Sequence, residues 1–426
     1  MRIKHLRVAG LRPFEQAEFE FGPGMNLLVG VNGVGKTTVL DALRICLSKV
    51  LPRVTASQSR PLSFVGDDIR VNAKALTVDC SFELNHKQFA LLVHKQRQPS
   101  AVHKPGAVRE QTYDTPDKEE FLPDLSTVGK ETKAAPRQPL GLFFSVRRSL
   151  VSDAAASKTS AAGRQAVAYA DALVSRELRL ADIAFWMRGQ EELGPEHPQA
   201  LTHLAALRRA AKRFLPDCKN LRPVDSPRPR LVAEKQRSTL DVRQLSDGER
   251  GLLALVLDLA RRLSQANPGL ADPVKRGRAV VLIDELDLHL HPKWQRNIVR
   301  QLTGTFPGCQ FIVTTHSPQI VGEVEPEQVL LLTAVGVARP DRTLGMDSNW
   351  ILRHLMEADD RPAAAAKRIG QVEALIKKGA FQKARHEITR NRKAGLDLPE
   401  WSVLEARMAR MEILADEVRE ENETTP

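Results

Sequence analysis

The sequence predicts an α/β protein with a parallel sheet at its centre, an antiparallel β-subdomain and added helical segments. Three observations predict it. A short apolar strand, Met25–Val29, runs into a glycine-rich loop and then into a helix from Thr37 to Val50. Two later apolar runs, Ala279–Ile283 and Phe311–Val313, end abruptly in polar residues and alternate with helical segments, as buried parallel strands do. Between the first strand and this pair, residues 68–95 alternate apolar and polar positions in the manner of antiparallel strands.

The chain has 426 residues and a mass of 47.3 kDa, which allows two or three structural units. Its 42% hydrophobic and 27% charged residues, with a mean hydropathy of -0.30, exclude a disordered or collagen-like chain. No apolar run approaches the ~20 residues that span a bilayer. Met1–Val8 lacks the apolar core of a signal peptide, so a soluble, cytoplasmic protein without membrane contact is expected. Cys46, Cys80, Cys218 and Cys309 are scattered, which argues for reduced thiols rather than a disulfide framework or a cysteine zinc site. The net charge is +11, and residues 201–243 carry a net of about +7 of it.

The elements follow in order. Ile3, Leu6 and Val8 mark a first strand, a turn lies at Gly10–Pro13, and Phe14, Ala17, Phe19 and Phe21 mark a second. After the Gly22-Pro23-Gly24 turn comes Met25–Val29, then the helix, whose apolar side is Val39, Leu40, Leu43, Ile45, Cys46 and Leu47. Val71, Ala73, Ala75, Val78, Phe82, Leu84, Phe89, Leu91 and Val93 suggest an antiparallel meander. Residues 96–138 are polar and read as a long loop; Leu140–Val146 returns as a strand. Residues 165–215 are helical with a break near Gly194–Pro198, and the prolines of Asn220–Arg230 mark a connector. Helix–strand alternation continues to about residue 332, and three amphipathic helices are expected over Pro362–Lys378, Phe381–Asn391 and Pro399–Glu421. Four segments result: a first lobe over 1–150, a helical insertion over 151–240, a second lobe over 241–335 and a helical appendage over 336–426.

The loop reads Gly30-Val31-Asn32-Gly33-Val34-Gly35-Lys36-Thr37-Thr38, which satisfies G-x-x-x-x-G-K-[ST] between a strand and a helix. In that context backbone N–H groups wrap phosphate oxygens, and the helix N-terminus favours their charge. Asn32, Gly33, Gly35, Lys36, Thr37 and Thr38 are therefore candidate ATP-binding residues, with Lys36 reaching the β- and γ-phosphates and Thr37 a ligand of Mg²⁺. The run Ala279–Ile283 ends in Asp284-Glu285. Asp284 is the second candidate Mg²⁺ ligand, and Glu285 is placed to orient and deprotonate an attacking water. Leu245-Ser246-Asp247-Gly248-Glu249 precedes a helix over Leu252–Leu263 and forms a second candidate anion site. His316 follows Phe311–Thr315, at the end of the strand expected beside that of Asp284.

In this order the motifs resemble the ABC-type ATPase heads of the RecF and SMC superfamily. Gly30–Thr37 corresponds to the Walker A loop, Leu245–Glu249 to the signature, Val281–Glu285 to the Walker B strand, Asp287 to the D-loop acid and His316 to the catalytic switch histidine. The signature departs from L-S-G-G at Asp247. The resemblance implies an ABC-type head with a nucleotide-sandwich dimer, in which Ser246, Asp247, Gly248 and Glu249 act in trans on ATP held by Lys36 of the other copy. Gln244–Arg250, Asp258–Leu263, Asp284–Arg296 and Thr314–Gln319 are in turn similar to the RecF-like ATPases of the PtuA group, found in Septu and retron anti-phage systems. That resemblance implies a sensor or regulator that works with a separate HNH-type, PtuB-like nuclease, with DNA or a retron nucleic acid as a further contact.

His289 and His291, near Glu285 and Asp287, are expected to pack or hydrogen-bond at the dimer seam rather than bind metal. The Q-loop position lies open between Gln138 and Arg148, and the basic stretch Arg208, Arg209, Lys212, Arg213 between nucleic acid or partner contact and a solvated face. Sustained heptads are absent, which excludes long coiled-coil arms. No spaced acidic set follows His316, so no nuclease site is expected in this chain. The rival functions are a RecF-like repair or recombination ATPase without a nuclease partner, and an ATP-clamped assembly scaffold.

Overall fold

The computed structural model describes residues 1–97, 118–149, 151–152, 165–225, 229–359 and 361–423. It divides into two compact units, Met1–Met356 and Glu357–Pro426.

The first unit opens with a hairpin of β1 (Arg2–Leu11) and β2 (Phe14–Glu20), followed by β3 (Met25–Val29) and α1 (Lys36–Val54). Next come β4 (Ala75–Leu84) and β5 (Lys87–Gln96), paired from Ala75 with Gln96 to Leu84 with Lys87. Burial alternates along β4, with Leu76, Val78, Cys80, Phe82 and Leu84 inside. The expected start of this meander shifts: Val71 lies in the turn before β4 and is 88% exposed, so the alternation begins only at Ala75. The stretch expected as a long loop contains β6 (Lys118–Leu122) and α2 (Ser126–Ala134); residues 98–117 lie outside the described residues. Pairing of Phe121 with Leu91 and burial of Val128 anchor this otherwise polar segment. β7 (Leu140–Phe144) follows, wholly buried, and then a short parallel pair, β8 (Val151–Ser152) with β9 (Leu178–Arg179).

The helices α3 (Leu180–Leu193) and α4 (Pro198–Phe214) carry the expected break between them. The expected connector is instead strand: β10 (Lys219–Val224), β11 (Arg230–Lys235) and β12 (Ser238–Asp241) form a small antiparallel sheet. Pro223 is accommodated because β10 is an edge strand, where a missing N–H costs no ladder bond. Then come α5 (Asp247–Ala266), α6 (Pro273–Arg276), β13 (Ala279–Ile283), α7 (Pro292–Thr305), β14 (Cys309–Thr314), α8 (Pro318–Val321), β15 (Val329–Thr333), β16 (Gly336–Ala338) and α9 (Ser348–Leu355). The unit extends to Met356 rather than ending near 335, because β16 pairs with β15 and Ile351 of α9 is fully buried in the same core.

Among the described residues, the central sheet has six strands in the order β16-β15-β3-β14-β13-β7, all parallel except the β15–β16 pair. Every residue of β3, β7, β13 and β14 is buried, as expected of parallel strands covered on both faces. The register sets the site: Thr314 pairs with Leu28, and Ile283 pairs with both Val313 and Phe144. The carboxyl ends of four strands therefore lie side by side, where open α/β sheets bind ligands. A five-stranded antiparallel sheet, β2-β1-β4-β5-β6, forms the second layer of this unit. All four cysteines are free and buried. Cys46 of α1 lies beside Cys80 of β4, and its thiol together with burial pushes the Cys80 thiol well up.

The second unit consists of α10 (Ala363–Lys377), α11 (Phe381–Lys393) and α12 (Glu400–Glu423). It has its own core of Val372, Ile376, Ala384, Ile388, Trp401, Leu404 and Met408. Trp401 is fully buried and its indole N–H donates to the Leu396 carbonyl at 2.8 Å, so the largest side chain also leaves no orphan donor. No helix among the described residues is long and apolar enough to cross a membrane.

Candidate functional site

The Gly30–Thr38 loop leaves β3 with Gly30 at φ 153 and turns through Gly33 and Gly35 at φ 85 and 102. Side chains are excluded at two of these points. A Cβ on Gly30 would lie 2.3 Å from the Leu332 carbonyl, and one on Gly35 2.5 Å from the Phe14 ring. The Lys36 ammonium is held inside the loop, donating to the carbonyls of Gly30 at 2.7 Å and Val31 at 2.9 Å. Burial lowers its pKa, against the opposing pull of Asp284, Glu285 and Asp287. Thr38 is buried, whereas Asn32, Gly33 and Thr37 face outward.

Asp284 follows β13 directly. The Thr37 hydroxyl lies 3.3 Å from both of its carboxylate oxygens, and the Thr314 hydroxyl donates to one of them at 2.7 Å. These are hard oxygen donors, the set that suits Mg²⁺, which takes few protein ligands and completes its shell with water and phosphate. Glu285 is left-handed, with φ 50, and its amide donates to the Thr314 hydroxyl at 2.7 Å. Asp287 accepts from the Thr315 hydroxyl at 2.6 Å and from the His316 amide at 3.1 Å. The His316 side chain itself is exposed at the end of this row. Lys36, Thr37, Asp284, Glu285, Asp287 and His316 thus come together at the carboxyl end of the parallel strands.

Two further residues support this row. Thr314 joins Asp284 to Glu285, and its polar side chain at the end of an apolar strand was the available signal. Arg148, only 5% exposed, donates to the backbone carbonyls of Ser145 at 3.2 Å and of Asp284 and Glu285. Burial pushes its pKa down to about 10, opposed by Asp284, Asp287 and Glu285. Of the two residues weighed for the Q-loop, Arg148 lies at the acids. Gln138 is buried elsewhere, accepting from the Ala56 amide at 2.8 Å and donating to the Lys133 carbonyl.

Ser246 caps α5. Its hydroxyl accepts from the Glu249 amide at 3.4 Å while its own amide donates to the Glu249 carboxylate at 3.2 Å, a reciprocal capping box, and Lys235 donates to the same carboxylate at 2.5 Å. Asp247 pairs with Arg250 at 2.7 Å. Gly248 packs on the turn after Asp284: a Cβ there would lie 2.3 Å from the His289 carbonyl. Ser246–Glu249 line an open cleft of about 740 Å³ together with His289, His291 and Trp294, and with none of the residues of the phosphate loop. Among the described residues, the hydrogen bonds of Ser246–Glu249 and those of Lys36 share no partner. His289 and His291 are exposed, and no group of three His, Cys, Asp or Glu among the described residues is placed to hold a metal ion.

The basic stretch is largely engaged internally. Arg208 pairs with Glu191 at 2.7 Å, Arg209 with Asp272 at 3.1 Å, and Arg213 donates to the Gly304 carbonyl at 2.9 Å. Asp258, Arg261 and Arg262, which contributed to the resemblance, form a buried cluster with Arg176. Burial alone would raise the Asp258 pKa, but Arg262, Arg176 and Arg261 hold it well below the carboxylate range.

A glycine-rich loop between strand and helix, strand-end acids beside it and a capped helix, on a mixed sheet, resemble the ABC-type ATPase heads of the RecF and SMC superfamily. The chain belongs to the family described as "AAA domain, putative AbiEii toxin, Type IV TA system", whose model matches residues 25–322. Over 150 residues it is 44% identical to a retron Ec83 probable ATPase of Escherichia coli, a match that covers 35% of this chain and only 27% of that relative's length. It is 22% identical over 343 residues to the Septu protein PtuA of Bacillus thuringiensis, covering 78% of this chain and 75% of PtuA. Among solved structures, an Smc head domain from Pyrococcus furiosus, bound there to the C-terminal domain of ScpA, aligns over 80% of this chain and 94% of its own at 14% identity and a TM-score of 0.48.

Proposed function

We propose that this protein binds and hydrolyses ATP, dimerises on it, and serves as the sensor or regulator subunit of a prokaryotic anti-phage complex with a separate HNH-type nuclease. One observation supports the ATPase reading above all: Thr37, which opens the loop helix, sits 3.3 Å from Asp284, and Glu285 is the next residue. In this reading Thr37 and Asp284 hold Mg²⁺, which neutralises phosphate charge when bound. Lys36 turns from the loop carbonyls to the β- and γ-phosphates. The Glu285 carboxylate takes a proton from the attacking water as its oxygen bonds to the γ-phosphorus and the bond to the bridging oxygen breaks. His316, at the end of the same row, would reach the γ-phosphate of a bound nucleotide.

The open cleft at Ser246–Glu249 supports action in trans, since a second copy is needed to bring it to the loop. The defence role follows from likeness to retron and Septu ATPases. Phosphate release should be measurable in wild type and fall by about 10²-fold or more in Glu285→Gln, the scale of a lost general base. Equal rates would reject the assignment. For the defence role, phage plating on a host carrying the gene with its native neighbours should show protection that disappears in Lys36→Ala. Protection retained in Lys36→Ala would contradict it.

A further inference from the structure

We propose that Arg148 is a positioning residue for hydrolysis: it fixes the Asp284–Glu285 backbone, so its loss uncouples turnover from ATP binding. This rests on Glu285 being the general base. The main-chain register brings Arg148 there. The Asp284 amide donates to the Phe144 carbonyl at 2.9 Å, and Arg148 lies on the single helical turn that follows β7. Its guanidinium donates to the carbonyls of both Asp284 and Glu285 through different nitrogens, the fork geometry a lysine lacks. Among the described residues no carboxylate oxygen is hydrogen-bonded to it, so its buried charge faces Asp284, Glu285 and Asp287 only through space.

What the fork holds is the one left-handed residue of the acid pair. Glu285 is fixed on its amide side by the Thr314 hydroxyl, and the next amide, of Leu286, donates to the Thr314 carbonyl at 2.9 Å. Arg148 supplies the matching constraint on the carbonyl side. With both sides tied, the direction in which the Cα–Cβ bond of Glu285 leaves the backbone is set before any ligand arrives, whereas the loop contacts of Lys36 and the Thr37 hydroxyl do not involve Arg148. The same guanidinium lines a cavity of about 20 Å³ with Asp247, Gly251 and Leu252 of α5, room for about one water.

The test is a pair of variants, Arg148→Gln and Arg148→Lys, read by melting temperature, fluorescent ATP-analogue affinity and phosphate release. The expected result is affinity within about threefold of wild type and a kcat at least tenfold lower, with Arg148→Lys intermediate. In a Glu285→Gln background, Arg148→Gln should lower the residual rate no further, because Arg148 acts through Glu285. If Arg148→Gln does not fold, Arg148→Lys decides alone. A folded Arg148 variant with wild-type kcat overturns the proposal, as does one whose affinity falls in parallel with kcat. If Glu285→Gln itself turns over at the wild-type rate, the base assignment fails instead, and that outcome is separate from the first.

Discussion

Glu285 occupies a left-handed conformation that costs a non-glycine residue about 1–2 kcal/mol, and it is retained between Thr314 on one side and Arg148 on the other. Strain held by such a frame is the pattern of a functional position. Thr314→Val removes the hydroxyl that joins Asp284 to Glu285 while keeping the β-branched shape. It should lower phosphate release by about tenfold, more than it lowers ATP affinity, which titration of the same protein would check. Gly35→Ala is expected to lose ATP binding, because φ 102 is unfavourable for alanine and its methyl meets Phe14. Binding unchanged in Gly35→Ala would show that the loop can reshape. At this scale the sequence was most informative: Lys36, Thr37, Asp284 and Glu285 sit at positions that spacing alone indicates. Thr314 and Arg148 were harder to see because their partners are backbone atoms and neighbours that only the strand register brings near.

Between single residues and the whole chain, α5 does two jobs. Its first turn carries Ser246–Glu249 against the turn after Asp284, and its middle anchors Asp258 against Arg176, Arg261 and Arg262. Asp258→Ala leaves buried guanidinium groups without their shared anion and should cost about 3–5 kcal/mol of stability, read as a lower melting temperature. The sign of its pH dependence follows from its depressed pKa. The carboxylate's contribution is complete above the unfolded value of 3.8 and is lost as pH falls below it, so the variant's deficit should narrow in acid. A deficit that grew instead would exclude the cluster as its source. Gly248→Ala should separate α5 from the His289 turn and weaken activity without loss of the fold, measurable as phosphate release at unchanged circular dichroism. Elements with clear periodicity, such as α1, β13 and β14, were legible in the sequence. β6 and β10 were not, since each is an edge strand with few apolar residues, one of them holding Pro223, and it is pairing with a neighbour that makes them strands.

The whole molecule has a head unit, Met1–Met356, and a separately cored helical unit, Glu357–Pro426. The sequence placed that boundary about twenty residues early, because β16 and α9 are short and look like the start of an appendage until their pairing and burial are known. In the proposed reading the site is completed by two copies: Lys36, Thr37, Asp284 and Glu285 from one, Ser246 and Gly248 from the other. The most direct measurement is the specific rate of phosphate release across protein concentration for wild type and Ser246→Arg, with ATP affinity measured in parallel. With a shared site the wild-type rate should rise with concentration to a plateau, while Ser246→Arg binds ATP normally yet stays about 10²-fold or more slower throughout. A Ser246→Arg protein that matches wild type at every concentration would contradict it.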